Sequence, residues 1–174
     1  MEGILSTVIG VVGTMIGTIL GYALNSWGNR GKIEILNIKI DEEYERLDGL
    51  GCMVKVENIT EAENYNLMLS FNVYNSSNNV KIMKEIKFNF YNEQELIKEY
   101  IPYDESTKRP SSYTTARDKI IPANILPKSI NQMNLSCFLN ENDLKVLSKS
   151  NSISLSYENE KNKITYIKIK TDKS

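Results

Sequence analysis

The sequence predicts an all-β fold, an antiparallel β-sandwich of seven or eight short strands with one short helix, behind a single N-terminal transmembrane helix. Three observations carry that prediction. Residues 3–29 hold no charged side chain. From residue 32 onward apolar residues recur mainly at every second position, the period of a half-buried strand. All 9 glycines of the 174-residue chain lie at or before Gly51, so a glycine-rich leader precedes a body whose turns must be made by Asn, Ser, Asp and Pro. The expected division is a membrane helix over 1–29 and a sandwich domain over 30–174.

The leader comes first. The apolar run from Ile4 to Leu24 covers about 30 Å at helical rise, the thickness of a bilayer's hydrocarbon core. Tyr22 and Trp27 stand at its C-terminal end, where amphipathic rings favour the headgroup region. A buried core helix of a soluble protein is the competing reading, and the length of the run disfavours it. Met1-Glu2 supplies no Lys or Arg, and Ala23-Leu24-Asn25 is the nearest approach to an A-x-A cleavage site, so the span is expected to be retained. Arg30, Lys32, Lys39 and Arg46 follow the span and no cation precedes it. Cations favour the cytoplasmic side, which places the protein in the cell membrane with its N-terminus out and the β domain cytoplasmic.

Small residues in the leader keep a phase. Gly3, Thr7, Gly10, Thr14, Gly17, Gly21 and Gly28 follow alternating steps of four and three, interrupted at Leu24. That is the repeat of left-handed helix pairing. Gly13, Gly17 and Gly21 add a small-xxx-small row, a glycine zipper. Leu5, Ile9, Val12, Ile16 and Ile19 occupy the other side and suit lipid. The expected association face is Gly10, Gly13, Thr14, Gly17 and Gly21, with a homo-oligomer as the product. Thr7, Thr14 and Thr18 are able to bond back to their own helix backbone and need not line a pore.

The body follows strand by strand. Lys32 to Ile40 changes phase between Ile35 and Leu36, which calls for a bulge. Cys52, Val54 and Val56 alternate with Met53, Lys55 and Glu57. Tyr65, Leu67, Leu69, Phe71 and Val73 alternate with polar residues and Met68, the clearest strand. Asn75 to Asn79 makes a turn into Val80, Ile82, Ile86, Phe88 and Phe90, which share a face with Lys84 out of pattern. Met133, Leu135, Cys137 and Leu139 share another. Asn140 caps a short helix through Asp143 and Leu144 to about Ser148, with Glu141 and Asp143 set well against its dipole. Ile153, Leu155 and Tyr157 alternate with serines, Glu158 to Asn162 makes a hairpin, and Lys163 to Lys170 changes phase between Tyr166 and Ile167. A closed barrel is the alternative to the sandwich.

The strand number and spacing over 32–174 resemble Ig-like sandwiches without the antibody hallmarks, since the one tryptophan, Trp27, lies in the leader. The layout of span plus β domain resembles small prokaryotic or phage-encoded single-span proteins, among them membrane effectors of anti-phage defence. That resemblance implies no particular ligand.

Composition removes several chemistries. Histidine is absent, which excludes His-based triads, Cys–His pairs and HExxH metal sites. Without glycine, residues 52–174 hold no P-loop, dinucleotide fingerprint or GxSxG elbow. The net charge of -1 argues against a nucleic-acid partner held by the overall field. No metal, cofactor or catalytic residue is expected. Cys52 and Cys137 fall on the apolar phase and read as core thiols, or as an inter-sheet disulfide if the domain lay outside the cytoplasm. The sequons at Asn58, Asn75 and Asn134 are idle in the cytoplasm. Asp41 to Glu45 and Asp48 read as a solvated acidic loop. The longest break in periodicity, Tyr103 to Asp118, holds Tyr103, Lys108, Arg109, Tyr113 and Arg117, cations and rings suited to a phosphate or a base.

The function that follows is a membrane-anchored, self-associating, non-enzymatic binding module for a protein or small ligand, with lipid as its other partner. The alternative is a membrane-disrupting or pore-forming effector gated by the β domain. External protease added to intact cells is predicted to leave the body undigested, and digestion from outside would reverse the orientation.

Overall fold

The computed structural model describes residues 2–111 and 115–171. Helix α1 (Glu2–Gly28) leads into β1 (Ile33–Leu47), β2 (Met53–Val56), β3 (Asn64–Asn75), β4 (Lys81–Asn92), β5 (Glu95–Tyr100), β6 (Tyr103–Pro110), β7 (Thr115–Lys119), β8 (Ala123–Ile125) and β9 (Ile130–Asn140). A short helix, α2 (Glu141–Leu147), then precedes β10 (Ser152–Glu158) and β11 (Ile164–Thr171). The strands form two antiparallel sheets. One is six-stranded, ordered β2-β1-β3-β9-β6-β7. The other is five-stranded, ordered β11-β10-β4-β5, with β8 paired to β4. The predicted sandwich is therefore the fold, in two sheets and not a closed barrel.

Alternation builds the core. Tyr65, Leu67, Leu69, Phe71 and Val73 of β3 all point inward, matched across the ladder by Met133, Leu135, Cys137 and Leu139 of β9. Phe88 and Phe90 of β4 with Ile153, Leu155 and Tyr157 of β10 close the core from the other sheet. Asn140 caps α2 as expected, its Oδ1 accepting from the N–H groups of Asn142 at 3.1 Å and Asp143 at 3.3 Å.

Several expectations need correction. The described residues hold eleven strands, not seven or eight. The acidic stretch is the distal half of β1, not a loop, because Asp41 through Glu45 stay in register with β3. Tyr103 to Asp118 is not one long loop either, since its described residues 103–110 and 115–118 pair as β6 and β7 on the sheet edge. Backbone ladders satisfy edge strands whose side chains carry no apolar alternation, so periodicity misses them.

Bulges also moved. In β1 the register slips between Leu36 and Lys39, at the positive-φ Asn37, just past the expected place. In β4 the slip in phase sits at Glu85, φ 49°, so Met83 enters the core in place of Ile82, while Val80 stays outside. In β11 the irregularity lies between Lys168 and Lys170, opposite Ile153 and Ser154, not at Tyr166.

Helix α1 stands outside the sandwich, and none of its apolar stretch Thr7–Gly28 is buried. Its mean hydropathy reaches 1.8 over a window of 18 residues, and the stretch is long and apolar enough to cross a membrane. Thr7, Thr14 and Thr18 donate back to the carbonyls of Gly3, Gly10 and Val11, and Thr14 respectively, as expected. A Cβ added at Gly10, Gly13, Gly17 or Gly21 would meet only open space.

The joint below the helix is the opposite case. The turn Asn75–Asn79 closes on it from the sandwich. Asn78 N–H donates to the Gly28 carbonyl at 3.1 Å, and Ser76 N–H to the Lys32 carbonyl at 3.0 Å. Lys32 N–H donates to Ser76 Oγ at 2.9 Å. A Cβ on Gly31 would collide with the backbone of Ser76 and Ser77. Gly31→Ala is predicted to destabilise the joint by about 1–3 kcal/mol, the usual cost of overpacking. Gly13→Ala is predicted to leave thermal unfolding of the sandwich unchanged, and an unchanged melting temperature for both variants would contradict the geometry.

Candidate functional site

The β6–β7 hairpin divides the expected ligand cluster. Tyr103 pairs in register with Ser136 of β9 and Lys119 of β7, which sets Tyr103 and Arg117 on the outer face of the six-stranded sheet. Arg117 Nε lies 2.5 Å from Glu105 Oε1, both side chains mostly buried. Its guanidinium stands 4.6 Å from the centre of the Phe138 ring, and the Tyr103 ring lies 6.2 Å from the same ring. Arg109 is engaged elsewhere. Its Nη1 and Nη2 donate to the two Asp118 oxygens at 2.8 and 2.9 Å, and that pairing holds the Asp118 carboxyl below its ordinary range. Lys108 is exposed and away from the rings' pairing, and Tyr113 lies outside the described residues. Tyr103 and Arg117 are thus brought together, while Lys108 and Arg109 are not. Two carboxylates already answer the two arginines, Glu105 for Arg117 and Asp118 for Arg109.

Phe138 is the residue missed in the sequence. It occupies the outward phase of a strand whose inward phase is Met133, Leu135, Cys137 and Leu139, and it is 42% exposed. That out-of-phase ring was the available signal. A groove of about 320 Å³ adjoins it, lined by Glu45, Met53, Asn64, Asn66 and Asn140. An aromatic ring braced by a cation, beside a half-polar groove, suits recognition of an apolar group with flanking amides.

A second feature lies between the sheets. Glu42, on the inward phase of β1, accepts from the Tyr65 hydroxyl at 2.6 Å and from Lys170 Nζ of β11 at 2.6 Å. Tyr44 stacks on Tyr65 with ring centres 5.1 Å apart. Burial first, then the hydrogen bond to Glu42, pushes the Tyr65 phenol far above its ordinary value. A carboxylate held by a neutral phenol and an ammonium ties β1 and β3 to β11. The cleft beside it, about 150 Å³, is lined in part by Ile59, Phe90, Leu147 and Ile153. Ligand pockets start near roughly 300 Å³, so this one suits a small polar group at most.

The cysteines part company. Cys137 is buried in β9, and loss of hydration, then the nearby Asp143 charge, pushes its thiol up to about 12. Cys52 is exposed, and both thiols are free. The expectation of two core thiols therefore fails for Cys52. β2 begins only at Met53, and Asp48 Oδ1 holds the turn before it, accepting from the N–H groups of Leu50 and Cys52 at 2.8 Å each.

These features define an Ig-like β-sandwich protein joined to one N-terminal apolar helix. The chain belongs to the YopI Ig-like domain family, whose sequence profile matches residues 31–170. It is 31% identical over 155 residues to the SPbeta prophage-derived uncharacterized protein YopI of Bacillus subtilis strain 168, a match spanning 88% of this chain and 84% of that one. Solved structures with likeness include the ApaA protein of Bordetella pertussis, 7% identical with a TM-score of 0.37 over 81% of this chain and 90% of that one. An uncharacterized β-sandwich protein of Clostridium difficile 630 is 14% identical, with a TM-score of 0.36 over 80% of this chain and 85% of that one.

The thiols give a direct check. A folded thiol raised from its ordinary 9.0 favours the protonated native state, so its stabilising contribution is complete below pH 9.0 and falls as pH rises above it. Mass-detected maleimide labelling at pH 8.5 is predicted to modify Cys52 promptly and Cys137 only after denaturation. Equal labelling of both in the folded chain would contradict the packing of β9.

Proposed function

We propose that the protein is a membrane-anchored, self-associating, non-enzymatic binding module, with its sandwich at the cytoplasmic face of the cell membrane. One observation carries the reading. A helix long enough to span a bilayer stands wholly uncovered by its own sandwich, yet is held to it by backbone hydrogen bonds. An uncovered apolar surface of that size needs lipid or another helix around it. The side chains absent from Gly10, Gly13, Gly17 and Gly21 leave room for a second copy to approach closely. The absence of glycine from residues 52–174 and of histidine from the chain favours binding over catalysis. Kinship to a prophage-derived protein supports a phage-encoded origin. The outward Phe138–Arg117–Tyr103 surface is the proposed contact for a protein partner.

The joint at Gly28 and Gly31 favours a second reading, in which partner binding by the sandwich is passed to the helices and opens a leak. Expression with a dye-leakage readout separates the two, since the module predicts intact membranes and the effector predicts leakage that requires the span.

Crosslinking of the full chain in membranes is predicted to trap oligomers, and Gly17→Ile to reduce them several-fold without loss of membrane retention. Crosslinked species of undiminished yield in Gly17→Ile would remove the proposed face. Recovery of the intact chain in the aqueous fraction without detergent would remove the anchor.

A further inference from the structure

We propose that the sandwich carries, at the foot of the helix, a cleft that binds the headgroup of an anionic phospholipid. The inference rests on the anchored reading and goes further, naming the lipid chemistry that the domain itself selects. The cleft measures about 530 Å³ and is lined by Arg30, Lys32, Lys81, Glu160, Lys161 and Lys163, five cations against one carboxylate. Three separate parts of the chain supply these charges. Arg30 and Lys32 follow the last residue of α1, Gly28, by two and four positions. Lys81 opens β4, and Lys161 and Lys163 come from the β10–β11 hairpin.

The acidic residues of this corner are already occupied. Glu160 Oε1 pairs with Lys81 Nζ at 2.7 Å, and Glu158 Oε1 with Lys84 Nζ at 3.1 Å. Those pairs hold the hairpin against β4. Arg30, Lys32, Lys161 and Lys163 are exposed and join no ion pair among the described residues. Backbone order fixes the hairpin's place as well, for Asn159 Oδ1 accepts from the N–H groups of Lys161 at 2.9 Å and Lys163 at 3.0 Å. Four unanswered cations therefore face one cleft, beside the end of a membrane-length helix.

Position decides the occupant. The helix end and Trp27, 72% exposed in its last turn, mark the headgroup level of the bilayer. A cleft within a few residues of that level meets lipid phosphates at far higher local concentration than any solute anion. Each Lys or Arg near an anionic surface adds roughly fivefold to association. The hairpin cations lie some 130 residues further along the sequence than Arg30, so only the fold gathers them into a site, beyond a simple flanking-charge signal.

The test uses the full chain in nanodiscs of equal phosphatidylcholine and phosphatidylglycerol, with retained lipids counted by native mass spectrometry. Wild type is expected to retain phosphatidylglycerol over phosphatidylcholine by about fivefold or more. The variant R30Q/K32Q/K161Q/K163Q is expected to lose that preference. K161Q/K163Q, which leaves the helix joint untouched, is expected to lose most of it. K145Q/K149Q, at the other end of the sandwich, is expected to keep it. A ratio near one in wild type, or an unchanged ratio in the four-residue variant, overturns the site. Displacement of the lipid by millimolar inorganic phosphate assigns the cleft to a free anion and also overturns it. A chain that never enters nanodiscs of either composition defeats the anchor together with the site, whereas insertion without selectivity defeats the site alone.

Discussion

The buried side-chain amide of Asn75 organises the end of the molecule on which everything else depends. It is fully enclosed, yet every polar atom it carries is answered. Oδ1 accepts from the N–H and the hydroxyl of Ser77 at 2.9 and 2.7 Å, and Nδ2 donates to the carbonyls of Asn79 and Ile125 at 2.7 and 2.9 Å. An unanswered amide in that place would cost about 1–3 kcal/mol per lost partner. Because the four bonds hold the turn from Asn75 to Asn79 in one shape, Ser76 and Asn78 present their N–H groups to Lys32 and Gly28. Lys128 Nζ reinforces the turn from β9's side, donating to the Ser76 carbonyl at 2.6 Å. The helix is thus attached through a structured surface of the sandwich and not through a free linker.

Function is arranged around that attachment. The inner faces of both sheets are consumed by the core and by the Glu42 tie, so contacts fall to outer surfaces, among them the outer face of the six-stranded sheet and the helix foot. The outer face carries Phe138, whose ring is braced by Arg117 while Glu105 neutralises the arginine. The helix foot carries unneutralised cations. The two surfaces therefore differ in chemistry, one aromatic and nearly neutral, the other cationic. In the proposed reading the cationic surface would turn to lipid and the aromatic one to a partner.

The sequence made the core strands legible because their inner faces are strictly apolar. β3 and β9 were readable residue by residue, and the cap at Asn140 followed from local chemistry. The edge hairpin β6–β7 was hidden, since residues such as Asp104, Thr107 and Arg109 satisfy their backbone by pairing and carry no alternation. The distal half of β1 was hidden for a different reason. Glu42 faces inward, and Tyr65 together with Lys170, 128 residues away, makes that position acceptable. Asn75 looked like one asparagine among many. Its role depends on Ile125 and Ser129, distant partners that no local pattern announces. The same limit applies to Glu85 and Asn37, where a positive φ on a non-glycine residue shifts the phase of a strand without a compositional mark.

Through the joint at Gly28 to Lys32, helix and sandwich are expected to move as one body. Double electron–electron resonance would measure it directly, with nitroxides on native Cys52 and on a cysteine introduced by Ile19→Cys. Labelled full chain would be diluted with unlabelled copies in nanodiscs, so that only distances within one chain are read. A single narrow distance distribution is expected. A broad distribution, spanning the range a free hinge at Asn29 to Lys32 would sample, would contradict it.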